Sequence, residues 1–129
     1  MSKISTLCPC GASRPFAQCC DRYLDGTTPA PTAEALMRSR YTAYTLLDEK
    51  YLLATWHMST RPEKLELEEA ASNKWLGLQV KRHEQQDDAH ARVEFVARYK
   101  VAGRAYRLHE VSRFVREDGR WFYVAGDML

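Results

Sequence analysis

The chain has 129 residues, 45% apolar and 28% charged, proportions that suit one compact domain with at most a short appendage and exclude a disordered or fibrous protein. Lys and Arg number 19 against 17 Asp and Glu, a net charge of +2. No segment holds the cationic excess of a dedicated nucleic-acid or membrane-surface binder, and no run approaches the roughly 18 apolar residues needed to span a bilayer.

The N-terminal stretch Met1-Ser2-Lys3-Ile4-Ser5-Thr6-Leu7 has no apolar signal core. The expectation is a chain that stays in a reducing cytoplasm, where structural disulfides are rare. Yet all four cysteines fall between positions 8 and 20. Residues 1–26 are too few to bury a core without a staple. Residues 27–33, with Pro29 and Pro31, read as an extended linker to a body at 34–129, and Thr32 is placed to cap the helix that follows.

Met37, Tyr41, Tyr44 and Leu47 recur at helical spacing, predicting a helix over about 34–48. Tyr51, Leu52, Leu53 and Trp56 predict a second over about 49–57. The acidic stretch 64–74 reads as a short helix or an irregular connection. A four-stranded meander follows. Leu76, Leu78 and Val80 form one face of its first strand, and Ala91, Val93, Phe95, Ala97, Tyr99 and Val101 one face of its second. The last two strands are expected near 104–116 and 120–126. The turns are Gln86-Asp87-Asp88, Ala102-Gly103 and Asp118-Gly119. Helices followed by a meander give an α+β domain with helices on one face of a curved sheet.

The cysteine pattern is Cys8-Pro9-Cys10, eight residues, then Cys19-Cys20. Thiolates are what Zn²⁺ takes in a closed structural site, and eight residues let the chain double back to bring two pairs round one ion. Two disulfides or four independent buried thiols are the other readings. The compartment and the strain of bonding adjacent cysteines oppose the first, and the clustering opposes the second. Four thiolates do not separate zinc from a single iron and leave no open coordination position for a substrate.

At these residues the sequence resembles the SEC-C motif, the metal-binding tail of the SecA translocation ATPase. The resemblance implies that Cys8, Cys10, Cys19 and Cys20 hold one Zn²⁺ per chain. After the first pair this chain reads Gly11-Ala12-Ser13-Arg14-Pro15-Phe16, with one basic residue where the motif has a Lys-rich turn. The stretches Ala35–Tyr41, Tyr51–His57, Trp75–Leu78, Val93–Arg98 and Ser112–Phe114 resemble the YchJ family (UPF0225), whose body is an NTF2-like domain, a cone of curved sheet wrapped over helices. Many members end in a second SEC-C motif, and this sequence ends at Leu129 without one.

Such a cone can enclose a pocket. Strict alternation puts Tyr106, Leu108, Glu110, Ser112 and Phe114 on its inner face, leaving Glu110 among apolar neighbours. Arg38, Arg40, Tyr41, Trp56, His57 and Arg113 are the pocket candidates around it, and a one-residue slip would turn His109 and Arg113 inward instead. A structural ion pair of Glu110 with Arg38 or Arg40 is favoured over a catalytic role, and no catalytic residue is assigned. His57 is read first as a partner of a helix C-terminus. No phosphate-cradling glycine loop or nucleophile elbow is present.

The resulting expectation is a zinc-binding adaptor that meets a protein partner through its knuckle. The resemblance to the SecA tail points to an export- or ribosome-associated partner, and NTF2-like domains leave a homodimer open. The alternative is a small enzyme or ligand-binding protein that uses the cone, with the knuckle purely structural. Near-neutral charge and a single arginine in the metal loop oppose nucleic acid.

Overall fold

The computed structural model describes residues 7–65, 67 and 73–129. The acidic stretch expected as a short helix or connection therefore lies mostly outside the described residues. A 3₁₀ turn at Phe16–Gln18 and a single helical turn, α1 (Asp21–Leu24), belong to the N-terminal knuckle. Helices α2 (Ala33–Leu46) and α3 (Glu49–Ala54) follow, then strands β1 (Lys74–Gln85), β2 (His90–Val101), β3 (Arg104–Glu117) and β4 (Arg120–Met128). The strands pair antiparallel in the order β1-β2-β3-β4. Among the described residues no helix is long and apolar enough to cross a membrane.

Local chemistry sets the helix ends. The Thr32 hydroxyl accepts the Ala35 N–H at 3.0 Å, satisfying a donor that the first turn leaves free. The helix stops at Leu47, which adopts φ 58° in the left-handed region. Periodicity continues one turn further, so the break is a backbone event rather than a change of pattern. Asp48 then caps α3 by accepting the Tyr51 N–H at 3.1 Å. Helix α3 ends at Ala54, three residues short of the expected end, because the chain beyond it joins the sheet. The N–H of Tyr123 donates to the Thr55 carbonyl, and the N–H of His57 donates to the Tyr123 carbonyl, both at 2.8 Å.

The two tight hairpins carry consecutive left-handed residues, φ 51° and 80° at Ala102-Gly103 and φ 51° and 76° at Asp118-Gly119. That is the turn whose twist matches the strands it joins. Register shifts occur in β1 at Trp75/Gly77 and Val80/Arg82, and opposite β4 at Arg113/Phe114. Each extra residue bends its strand and raises the twist, curving the sheet round α2. The first shift corrects the simple alternation of Leu76, Leu78 and Val80. Trp75 turns inward against Tyr41, with ring centroids 5.5 Å apart and nearly perpendicular, and Leu76 is left 47% exposed.

The core lies between sheet and helices. Leu36, Met37, Tyr41 and Leu52 meet Val93, Phe95, Ala97, Phe114 and Trp121. Strand β2 keeps Ala91, Val93, Phe95 and Ala97 buried and His90, Arg92, Arg98 and Lys100 facing solvent as predicted, but Val96 on the opposite face is buried as well, so the alternation is broken at its centre. The four cysteines and Tyr23 are continuous with this core. The knuckle therefore packs against the body beyond the proline linker.

Candidate metal centre and inner cavity

The knuckle is built from close turns. Leu7 bridges Pro15, and the Cys8 N–H donates to the Arg14 carbonyl at 2.8 Å, closing a small loop around the first cysteine pair. Gly11 has φ 82°, and a Cβ there would fall 2.7 Å from the Leu78 carbonyl oxygen of β1. Only glycine satisfies both the left-handed turn and that approach. Pro15 then opens the 3₁₀ turn, and the Cys19 N–H donates to the Phe16 carbonyl at 3.0 Å, returning the second pair to the first.

The four Sγ atoms lie within 4.8 Å of one another and all four residues are buried. Cys10 Sγ and Cys19 Sγ are 3.6 Å apart. Tetrahedral zinc thiolate bonds of about 2.3 Å imply sulfur–sulfur separations of about 3.8 Å, so the cluster has the size of a four-thiolate cage. All four cysteines are free, and their spacing is far beyond the roughly 2 Å of a disulfide. Hydrogen bonding from the Cys20 thiol holds Cys10 below the usual thiol value. The same Cys10 contact, together with burial, pushes Cys20 up, and burial pushes Cys19 up. Cys19 and Cys20 thus resist ionisation on their own, and a divalent ion is what such a donor set accommodates.

Helix α2 fixes the cage to the body. Arg38 Nη1 donates to the Cys10 carbonyl at 2.8 Å, and its Nε pairs with Glu34 at 3.0 Å. Thr42, one turn on, sets its Oγ1 3.7 Å from Cys8 Sγ. Nothing in the sequence marks Thr42, whose role exists only because the knuckle docks there.

The second feature is a cavity of about 360 Å³ between α2 and the sheet. Of the pocket candidates, Arg40, Tyr41 and Glu110 line it. The expected ion pair of Glu110 with Arg38 or Arg40 is absent among the described residues. Two helix positions are about 200° apart in direction, so Arg38 faces the knuckle while Arg40 faces the cavity. Glu110 instead accepts from Ser112 Oγ at 2.6 Å. Its carboxyl lies over Gly126, where a side chain would collide with it. A glycine inside a strand is the sequence signal for such an approach, and Gly126 went unmarked in the sequence reading.

Arg40 is buried at 6% exposure. Its Nη1 donates to the Leu52 carbonyl and to Thr55 Oγ1, both at 2.7 Å. Its guanidinium carbon lies 4.6 Å from the Tyr123 ring centroid and 5.2 Å from that of Trp56. Burial lowers its pKa. The same burial pushes Tyr41, Tyr51 and Tyr123 up to about 12.

The remaining candidates lie elsewhere. His57 is past the end of α3, with Nε2 2.9 Å from Glu117 and Nδ1 2.7 Å from Ser59, so it pairs with side chains rather than with a helix terminus. Register from β2 to β3 is unbroken, which keeps His109 and Arg113 on the outer face. His109 bonds Glu94 at 2.7 Å, and Arg113 is 3.9 Å from Asp127. Trp56 packs edge-on against Tyr123. His83 on β1, unmarked by any motif, stands 3.8 Å from Glu34.

Comparison with known proteins agrees with this geometry. The family model described as the YchJ middle NTF2-like domain matches residues 32–126. A UPF0225 protein of Chromobacterium violaceum is 63% identical over 123 residues, covering 92% of this chain and 90% of the relative. One from Bordetella pertussis is 58% identical, covering 94% and 92%. The solution structure of a SEC-C motif containing protein from Rhodopseudomonas palustris superposes with a TM-score of 0.86 at 31% identity, covering 96% of this chain and 99% of that one. The crystal structure of a SEC-C motif containing protein from Psychrobacter arcticus gives 0.79 at 30% identity, covering 93% and 81%.

Proposed function

This chain belongs to the YchJ family (UPF0225), and we propose that it is a zinc-binding adaptor of a reducing cytoplasm, in which one ion fixes the knuckle and the knuckle meets a protein partner. The observation that carries the reading is the convergence of four buried thiols within 4.8 Å. Four sulfur ligands close the coordination sphere, so the ion supplies rigidity rather than chemistry. What it holds rigid is a set of solvent-facing knuckle residues, among them Gly11, Ser13, Arg14, Gln18 and Arg22. Zinc suits this set because it tolerates tetrahedral thiolate geometry without redox change, whereas iron in the same cage would colour the protein.

Elemental analysis of the purified chain is expected to give one zinc per molecule, with Cys20→Ser losing the ion. A metal-free protein with four freely titrating thiols overturns the metal assignment. The adaptor role is tested with Arg14→Glu, an exposed change that leaves the ligands intact. Partner capture should fall while zinc content stays at one, and capture that ignores both Arg14→Glu and zinc removal refutes it.

A further inference from the structure

The metal centre leaves the cavity unexplained. At about 360 Å³ it falls in the range of small-molecule sites. Its walls are mainly aromatic and apolar, with Tyr44, Trp75, Phe95, Leu108, Phe114 and Tyr123 among them. A filled structural core of this composition would close on itself, because packing to normal density is favourable.

The polar groups at the cavity are not mutually neutralised. Arg40 stays charged in a protein and is buried at 6% exposure. Among the described residues it forms no ion pair. Its hydrogen bonds to described residues, Leu52 and Thr55, both use Nη1 and both go to uncharged acceptors. Glu110 acts on it only at longer range and spends its own hydrogen bond on Ser112. A buried cation that shares its cavity with a carboxylate engaged elsewhere is a place where an anion gains a charge-assisted contact. Glu110 faces the same space, and its carboxylate, already engaged by Ser112, repels an anion.

We propose that the cone cavity binds a small aromatic anion, its ring against the aromatic walls and its acidic group toward Arg40, with the Glu110 carboxylate opposing the anion's charge. This inference is independent of the metal centre. The two charged groups act on such a ligand with opposite sign, which a merely structural pair would not do.

Two fluorescent probes of one aromatic skeleton test it on the full, metal-loaded chain. The probe 1-anilinonaphthalene-8-sulfonate carries an aromatic amine and an anionic group, and N-phenyl-1-naphthylamine lacks the anion. The native chain should bind the anionic probe more tightly. Arg40→Gln should weaken that probe about tenfold and Glu110→Gln should strengthen it about threefold, with little change for the neutral probe. Leu108→Trp, which fills the cavity, should abolish both. If Arg40→Gln fails to fold, Glu110→Gln and Leu108→Trp still decide. Absence of binding to the native chain, binding that survives Leu108→Trp, or weaker anion binding in Glu110→Gln overturns the proposal.

Discussion

Gly126→Ala tests whether the Glu110–Ser112 contact is fixed by the space above β4. Gly126 pairs with Ser112 across the sheet, and a Cβ there would occupy the position of the Glu110 carboxyl. The glutamate must swing away and lose the 2.6 Å bond from Ser112 Oγ. Hydrogen bonds to charged groups contribute about 1.5–3 kcal/mol, and a half-buried carboxylate regains some water, so the loss is about 1.5 kcal/mol. Gly126 is outside the left-handed region, so alanine also restricts the unfolded chain and returns about 0.5 kcal/mol. The net cost is about 1 kcal/mol, or about 4 °C in melting temperature for a chain of this size. In a Glu110→Ala background the collision vanishes and the same change should stabilise by about 0.5 kcal/mol. Denaturant melts of the four proteins in the cycle give a coupling near 1.5 kcal/mol if the reasoning holds. An equal effect of Gly126→Ala in both backgrounds would refute it.

Two further predictions rest on other parts of the fold. Leu47 is 43% exposed and held at φ 58°, so Leu47→Gly should raise stability by about 1 kcal/mol in urea melts, since glycine adopts that conformation without a Cβ clash. Burial raises Tyr41, Tyr51 and Tyr123 from 10 to about 12, so folding favours their neutral forms. Their stabilisation is complete below pH 10 and is lost as pH climbs toward 12, so the melting temperature should fall across that window while tyrosinate absorbance appears late. An early, uniform titration of all tyrosines in the folded protein would contradict this.

The order of elements and the cysteine cluster were legible in the sequence because both are written in local spacing. Alternation in β2 sets which side chains face the core, and Ala102-Gly103 and Asp118-Gly119 set two turns through backbone preferences that act within a few residues. The inward placement of Glu110 follows from the same period of two. Partners did not follow, since they depend on how distant elements meet. The bulge at Trp75/Gly77 exchanged the expected Leu76 for Trp75 in the core, a shift that alternation cannot foresee. The docking of the knuckle on α2 and β1 gave Thr42 and Gly11 roles that no spacing marks. Arg38 and Arg40 look equivalent as neighbouring cations in the chain. Helix phase sends one to the Cys10 carbonyl and the other to the cavity, because a two-residue step turns a side chain about 200° round the helix axis.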